Sequence, residues 1–335
     1  MKVLFSLVLC LFIFVSCSKD SPTSSGDGTI RDITSFELVS EMGSGWNLGN
    51  SFDAIGEDET VWGNPHTTRA MIDEISARGF KTIRIPITWG SHLGAAPDYI
   101  IEPDWLSRIE QVVNYALDND MYVIINIHHD ESWVIPTFDK ASEVSDQLEK
   151  VWTQVANRFI DYDEHLIFET LNEPRHKNTP EEWTGGTSEG RTVLNQYHKA
   201  SLDAIRATGE NNALRHIMIS TYAASSIPIA MNELVIPNDD ERVIISIHSY
   251  FPYPFTLGES DPTWGTEADK LGLDAELDRM KAKFIDNGRP IVMGEWGSIN
   301  QDNYQDRLTH ARYYAEAAAE RGIVPIWWDN GALEG

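Results

Sequence analysis

The sequence predicts a (β/α)₈ barrel, a closed ring of eight parallel strands surrounded by helices. From about residue 30 onward, short β-branched and apolar runs alternate with longer amphipathic stretches. The short runs carry apolar residues on both faces, as strands must when helices cover them. Several runs end abruptly in a polar or charged side chain, which is typical of the catalytic end of such a barrel.

Eight runs have the composition of strands, and the first, residues 45–50, is less apolar than the others. The remaining seven span residues 81–86, 121–127, 166–171, 215–221, 243–248, 291–295 and 323–328. The stretches between them are long enough for helices, and in one of them a single face carries Val144, Leu148, Val151, Val155 and Phe159. Glycines precede several strands, where left-handed backbone often ends a helix: Gly79, Gly209, Gly288 and Gly322.

An open, doubly wound sheet is the main alternative fold. The sequence argues against it because no Gly-x-Gly-x-x-Gly motif follows the first strand. An eighth helix should follow the last strand, yet Gly335 lies only seven residues after Trp328. We therefore interpret the barrel domain, residues 31–335, as truncated after strand eight.

The first 17 residues are typical of a bacterial lipoprotein signal peptide. Lys2 precedes an apolar run, residues 3–15, that is too short to span a membrane. Residues 14–17 resemble a lipobox, which predicts lipid attachment at Cys17. The only other cysteine is Cys10, so the predicted barrel has no disulfide. Residues 18–30 are expected to form a flexible tether.

This leader predicts export, with a lipid anchor to the bacterial outer membrane or cell surface and no other membrane contact. The alternative is a plain secretory signal and a periplasmic or secreted protein. The net charge of −26 argues against a nucleic-acid partner, because like charges repel, and suits an exported enzyme acting on a neutral polymer. We expect a monomer.

Two glutamates stand at the ends of strand-like runs. Glu173 follows the fourth run and Glu295 ends the seventh. Two carboxylates that face each other across a barrel mouth are the minimum set for cleaving a glycosidic bond. The alternative, an ordinary surface ion pair for each, does not explain why both occur at strand ends.

Three further polar residues near strand ends suit the same chemistry. Arg84 can keep a nucleophilic carboxylate ionised, although a structural salt bridge is the alternative. Asn172 directly precedes Glu173 and can bond a sugar 2-hydroxyl. Tyr250 can donate a hydrogen bond to a carboxylate and fix its orientation.

His128, His129 and Asp130 follow the third run and raise the possibility of a metal site. Adjacent strand residues point to opposite faces, however, so they converge poorly on one ion. We therefore expect no metal here, and hydrogen bonding to sugar hydroxyls instead.

Tryptophans are frequent near the predicted mouth. One of the adjacent Trp327 and Trp328 must face the mouth, where an indole can stack under a pyranose ring. Others are expected in loops on the same face, which core packing would not explain: Trp89, Trp133, Trp183, Trp264 and Trp296.

Seven segments carry a resemblance to a known family: Gly45-Trp46-Asn47-Leu48-Gly49-Asn50, Arg84-Ile85-Pro86, Asn126-Ile127-His128-His129, Leu171-Asn172-Glu173-Pro174, His248-Ser249-Tyr250, Gly294-Glu295-Trp296-Gly297 and Trp327-Trp328-Asp329-Asn330-Gly331. They resemble glycoside hydrolase family 5, most closely its bacterial endoglucanase and xyloglucanase branch. The resemblance implies that Glu173 is the acid/base and Glu295 the nucleophile. It also implies a set of substrate-binding residues: Asn47, Arg84, His128, His129, Asn172, His248, Tyr250 and Trp328.

The predicted function is a retaining endo-β-1,4-glucanase that acts on β-glucan polysaccharides without a cofactor. Glu295 would attack the anomeric carbon while Glu173, kept protonated by its neighbours, protonates the leaving oxygen. The alternatives within the class are a xyloglucan-specific endo-β-1,4-glucanase, a mixed-linkage glucanase or a mannanase. From another class, a non-catalytic surface glycan-binding lipoprotein is possible, although such a scaffold would normally have lost one carboxylate.

Overall fold

The computed structural model describes residues 28–258 and 260–331. Its strands form a closed parallel barrel in which each strand pairs with the next and the last pairs with the first. They are β1 (Gly45–Leu48), β2 (Thr82–Ile85), β3 (Tyr122–Asn126), β4 (Leu166–Glu169), β5 (Ile217–Ser225), β6 (Val243–His248), β7 (Ile291–Trp296) and β8 (Ile323–Asp329). The predicted fold class and its eight strands are confirmed. The largest boundary difference is at β5, which runs four residues beyond its predicted end.

Helices surround this barrel and close one end of it. Within the described residues the α-helices are α1 (Ser35–Met42), α2 (Arg69–Ala77), α3 (Pro103–Leu117), α4 (Ala141–Arg158), α5 (Ser188–Ala207), α6 (Pro228–Asn232), α7 (Tyr253–Thr256), α8 (Glu267–Lys283) and α9 (Tyr304–Glu320). Threonine caps begin several of them, and in α1 the Thr34 hydroxyl and the Glu37 carboxylate form a reciprocal capping box. The four glycines predicted at helix ends all have positive φ, between 73° and 96°. Among the described residues, no helix is both long and apolar enough to cross a membrane.

The two ends of the described chain are relevant to the predictions of an N-terminal tether and of a truncation after β8. Gly28, the first described residue, contacts the barrel: its carbonyl oxygen accepts from Asn211 Nδ2 at 2.6 Å, and Ile30 is buried. The last residues of the predicted tether therefore lie against the barrel. Cys17, the rest of the tether and residues 332–335 lie outside the described residues, so the predictions of lipidation and of truncation after β8 stay predictions.

Residues on the strands alternate between two environments. The outward side chains, such as Ile83, Val123 and Phe168, pack against the surrounding helices in the larger apolar core. The inward side chains near the N-terminal ends of the strands form a second, smaller core together with Leu38, Val39 and Met42 of α1: Ile124, Ile167, Met218, Ile244, Val292, Val324 and Ile326. We call this closed end the lower end, and the C-terminal ends of the strands the mouth. Two residues further along several of the same strands, the inward positions become polar, which places the site.

Candidate active site

The two predicted glutamates meet at the mouth. Glu173 follows β4 and is partly exposed, whereas Glu295 lies near the end of β7 and is buried. An oxygen of Glu173, an oxygen of Glu295 and a ring nitrogen of His248 all lie within 4.8 Å of one another. The fold therefore brings together two carboxylates that are far apart in sequence.

The carboxylate of Glu295 is held by two donors from different strands. Arg84 Nη1 donates to Oε1 at 2.9 Å, and the Tyr250 hydroxyl donates to Oε2 at 3.0 Å. Burial raises the pKa of Tyr250, and the charges of Glu295 and Glu173 raise it further, so the phenol keeps its proton. The predicted role of Tyr250 as the residue that orients this carboxylate matches this geometry.

Glu295 faces inward because β7 is irregular at this point. The pairing of β6 and β7 shifts in register between Ile247 and His248, so that His248 stands opposite Glu295. A Cβ on Gly294 would lie 2.8 Å from His248 Nε2 and 2.9 Å from Ser246 Oγ. Glycine is therefore required where the strand bends, and such bulges recur beside active sites because they re-aim a side chain.

Arg84 is fully buried beneath the carboxylates, and protein groups occupy its donors. Nε donates to Glu169 Oε2, which also lies 2.8 Å from Nη2. Nη1 also donates to Asn47 Oδ1, and Nη2 donates to Asn172 Oδ1. Asn47 is also fully buried, and its Nδ2 donates to the carbonyl oxygens of Gly294, Ile326 and Trp327. The expectation that Arg84 and Asn47 bind substrate is wrong, because neither has a polar group free to reach the mouth. Both support the residues that do.

The surroundings of Glu173 favour its ionised form. Burial raises the pKa of Glu173, but the hydrogen bond from His248 Nδ1 to Oε1 at 2.9 Å and the charges of His248, Arg175 and Arg84 lower it by more. Burial lowers the pKa of His248, and Glu295 and Glu173 together raise it above its usual value. The expectation that neighbours keep Glu173 protonated is therefore wrong for the unliganded site. Both directions favour an ion pair between the Glu173 carboxylate and a protonated His248.

The β3 end of the mouth presents a neutral imidazole beside an indole. Asn126 Nδ2 donates to His128 Nδ1 at 3.1 Å, so the ring proton sits on Nε2 and can be donated. Burial, and then the charges of His129 and Arg84, hold the pKa of His128 well below its usual value. Trp328 lies almost parallel to His128, with ring centroids 5.8 Å apart. Trp328 is therefore the indole that faces the mouth, whereas Trp327 packs edge-on against Trp296.

Comparisons with known proteins agree with this geometry. The family model described as Cellulase (glycosyl hydrolase family 5) matches residues 46–334. The chain belongs to glycosyl hydrolase family 5. Endoglucanase B of Clostridium cellulovorans is 54% identical over 306 residues, which cover 90% of this chain and 69% of that protein.

Solved structures of the same family superpose closely on this member. The structure of ZgEngAGH5_4 in complex with a cellotriose has a TM-score of 0.91 and 61% identity, over 91% of this chain and 93% of that one. A GH5-4 broad specificity endoglucanase from Clostridium acetobutylicum has a TM-score of 0.88 and 53% identity, over 90% and 91% of the two chains. The predicted family is confirmed.

The tryptophans of this family 5 barrel divide differently from the prediction. Trp89, Trp264 and Trp296 are buried, and Trp264 and Trp296 pack against His310. Core packing does explain them, contrary to the expectation. Trp183 is 56% exposed, and the guanidinium carbon of Arg175 lies 4.3 Å from its ring centroid. Trp62, which the sequence reasoning did not single out, is 42% exposed and packs against His129.

Sequence reasoning also missed several polar residues that build the site. Glu169 and Ser246 lie on inward positions of β4 and β6, and Ser246 Oγ donates to Glu169 Oε1 at 2.6 Å. Arg175 Nη1 lies 3.6 Å from Glu173 Oε2 and 3.1 Å from Glu131 Oε1. The available signal was strand alternation: Glu169 is two residues after the inward Ile167, so a carboxylate there must enter the barrel.

Acidic and histidine side chains approach closely enough to share an ion at three places in the described residues: Asp53–His128–His129, Asp163–Glu164–His165 and Glu173–His248–Glu295. At the third, Arg84 and Arg175 already supply positive charge to the carboxylates. Asp130, considered from the sequence, accepts N–H groups from Trp89, Gly90 and Trp133. Both of its carboxylate oxygens therefore accept hydrogen bonds that join two loops.

Proposed function

We propose that the protein is a retaining endo-β-1,4-glucanase. The observation that carries the proposal is the approach of the Glu173 and Glu295 oxygens to within 4.8 Å at the mouth. Retaining glycosidases hold their two carboxyl groups about 5–5.5 Å apart, whereas inverting enzymes leave about 6.5–9.5 Å for a water molecule. The separation here belongs to the shorter class, and membership of family 5 supports it.

The first step transfers the sugar to the enzyme. When a glucan chain covers the mouth and excludes water, charges are less well solvated, so the ion pair of Glu173 and His248 is less favourable than the neutral pair. The proton then passes from His248 Nδ1 to Glu173 Oε1. A Glu295 oxygen bonds to the anomeric carbon, the bond to the glycosidic oxygen breaks, and that oxygen takes the Glu173 proton.

The second step returns the enzyme to its starting state. Glu173, now a carboxylate, takes a proton from a water molecule, and the resulting hydroxide bonds to the anomeric carbon. When the product leaves and water re-enters the mouth, this proton passes from Glu173 Oε1 back to His248 Nδ1 and restores the ion pair. The bond to Glu295 breaks, and its oxygens return to Arg84 and Tyr250. Two displacements leave the anomeric configuration unchanged. Asn172, whose Oδ1 is occupied by Arg84, has its Nδ2 left to bond the sugar 2-hydroxyl.

Exposed aromatic rings support cleavage within chains rather than at their ends. Trp62 follows β1, Trp183 follows β4 and Tyr253 follows β6, and all three are at least 42% exposed. Flat rings on several sides of the mouth can stack against sugars on both sides of the cleaved bond. A cavity of about 250 Å³ beside Tyr250 and Trp328, also lined by Asn300 and Arg307, could receive a branch. This cavity favours xyloglucan as the second candidate substrate.

A panel of purified polysaccharides tests the function. We expect reducing ends from carboxymethylcellulose and mixed-linkage glucan, with viscosity falling before many ends appear, and also from xyloglucan if the side cavity accepts branches. Early products followed by proton NMR should be the β-anomer. Glu295→Gln is the matched inactive control. Binding to glucans without any reducing ends would favour a glycan-binding protein, and an α-anomer would contradict retention.

We further propose export and lipid anchoring through Cys17, on the sequence of residues 1–17. A palmitate analogue should label the wild type but not Cys17→Ser, and the variant should leave the membrane fraction. An unlabelled wild type whose N-terminus differs from Cys17 would contradict this proposal.

A further inference from the structure

A third carboxylate lies at the mouth, and the reaction steps above give it no role. Glu169 is fully buried on an inward position at the end of β4. Its Oε2 accepts from Arg84 Nε and from Asn126 Nδ2, each at 2.8 Å, and lies 2.8 Å from Arg84 Nη2 in the same ion pair. Its Oε1 accepts from Ser246 Oγ. Three hydrogen-bond donors from three strands converge on a side chain that water does not reach.

These contacts fix the orientation of Arg84. The edge of the guanidinium formed by Nε and Nη2 rests on Glu169, so Nη1 is directed at Glu295 Oε1 at 2.9 Å. The same orientation directs Nη2 at Asn172 Oδ1 at 2.6 Å. Rotating the guanidinium would break these contacts together, because its donors form one rigid plane.

Glu169 also divides the charge of Arg84 between two carboxylates. A buried guanidinium facing Glu295 alone would stabilise the ionised nucleophile strongly, and a strongly stabilised carboxylate is slow to give up its charge in forming a covalent bond. With Glu169 on the opposite edge, the three side chains carry a net negative charge. The nucleophile is therefore ionised without being held too tightly.

We propose that Glu169 is a positioning residue for the reaction, which aims Arg84 at Glu295 and Asn172 and limits how strongly Arg84 stabilises the ionised nucleophile. This inference rests on the proposed role of Glu295. The ionisable groups around Glu295 are Arg84 on β2, Glu173 after β4, and His248 and Tyr250 at the end of β6 and after it, with His129 after β3 at longer range. Glu169, at the end of β4, acts on Glu295 through Arg84. Among the charged groups around Arg84, Glu169 is the one that this mechanism does not place against the substrate.

The test is the substitution Glu169→Gln. Glutamine has the same shape, its carbonyl oxygen can accept from Arg84 and Asn126, and its amide can donate to Ser246, so the charge is the main loss. We expect kcat to fall by about 10- to 100-fold with KM changed little, because the defect concerns bond formation. The acidic limb of the rate–pH profile should move down, since Arg84 then acts on Glu295 alone. Removing the opposite partner, in Arg84→Ala, should move that limb upward.

Glu164→Gln is the matched control. Glu164 is equally buried and also pairs with the guanidinium of an arginine, Arg31, but at the lower end of the barrel. It should lose stability without moving the acidic limb. A folded Glu169→Gln variant with wild-type kcat and an unmoved limb would overturn the proposal, as would an equal shift in Glu164→Gln.

A second variant keeps the test decisive if Glu169→Gln does not fold. Glu169→Asp keeps the charge but withdraws the carboxylate, so kcat should fall by about tenfold or more while the acidic limb stays in place. A wild-type kcat for Glu169→Asp would overturn the proposal. Wild-type enzyme that releases no reducing ends, or inverts, would instead count against the proposed function.

Discussion

The lower end and the mouth of the barrel are built from the same strands. Along a strand, the apolar inward residue of the lower end and the polar inward residue of the mouth are only two positions apart. On β4 the inward residues are Ile167 and then Glu169, and on β6 they are Ile244, Ser246 and His248. The lower residues make only apolar contacts, whereas the upper ones make directed hydrogen bonds. The comparison teaches that one alternating pattern can supply both a packed base and a charged site above it.

The two ends also differ in what a substitution should disturb. Apolar packing at the lower end is shared among many weak contacts, so losing one side chain costs stability and leaves the mouth in place. At the mouth the polar side chains are held by hydrogen bonds to specific partners, and Arg84 alone contacts four side chains. Substitutions there should remove activity before they remove the fold.

The largest expected effect is that of Glu295→Gln at the mouth. Without a nucleophile, turnover should fall on the order of 10⁵-fold on every substrate. The thermal midpoint should change little, because glutamine fills the same volume. Initial rates and a thermal melt measure both quantities. A variant that loses its fold along with its activity would break the distinction between the two ends.

The next effect is that of Glu173→Ala, which removes the acid and leaves the nucleophile. Natural glucans should be cleaved about 10²- to 10⁴-fold more slowly, because their leaving oxygen needs a proton. Aryl glycosides with good leaving groups should be affected far less, and added azide should partly restore activity with a β-azide product. Azide rescue of Glu295→Ala instead of Glu173→Ala would reverse the two roles.

At the lower end, Ile244→Ala should lower the stability of the protein and leave its activity unchanged. Removing this fully buried side chain should cost about 2–5 kcal/mol of the free energy of unfolding. At temperatures where the variant stays folded, kcat should match the wild type, since no contact of the site is lost. Denaturant unfolding measures the loss of stability, and initial rates measure kcat. A large drop in kcat in the folded state would show that the base also shapes the mouth.

The smallest expected effect is on the pH dependence of the free energy of unfolding, and it comes from a buried histidine away from the mouth. Burial lowers the pKa of His198 to about 4, and its Nε2 donates to the Ser220 carbonyl oxygen. The unfolded chain therefore binds an extra proton between about pH 6.5 and pH 4, and the free energy of unfolding should fall by about 1.4 kcal/mol per pH unit as the pH drops through that window. His198→Gln should flatten this slope.

The contrasting case is His248, whose pKa is raised by its carboxylate neighbours. Its contribution to stability is fully present below pH 6.5 and is lost as the pH rises through the raised pKa. Unfolding measured against pH in His248→Asn should therefore change on the alkaline side. A change confined to the acid side would contradict the ionised pairing with Glu173.

The sequence predicted the strands and the two glutamates because both follow from local pattern. Short runs that are apolar on both faces determine the strands, and a carboxylate at a strand end must lie at the mouth. The sequence did not predict that the side chains of Asn47 and Arg84 are fully buried. Their burial depends on contacts with Glu169, Gly294 and Trp327, which lie in distant parts of the chain. The buried Trp264 was missed for the same reason, since its neighbour His310 lies on α9.

The apolar base also sets the order in which molecules can reach the reaction centre. Because α1 and a ring of aliphatic side chains fill the described barrel beneath the polar layer, water enters from the mouth. A glucan lying across the mouth occupies that route, so the attacking water arrives through the space that the departing fragment leaves. A second sugar chain can take the same space first. The concentration of acceptor sugars therefore decides how much of the covalent intermediate ends in chain transfer instead of hydrolysis.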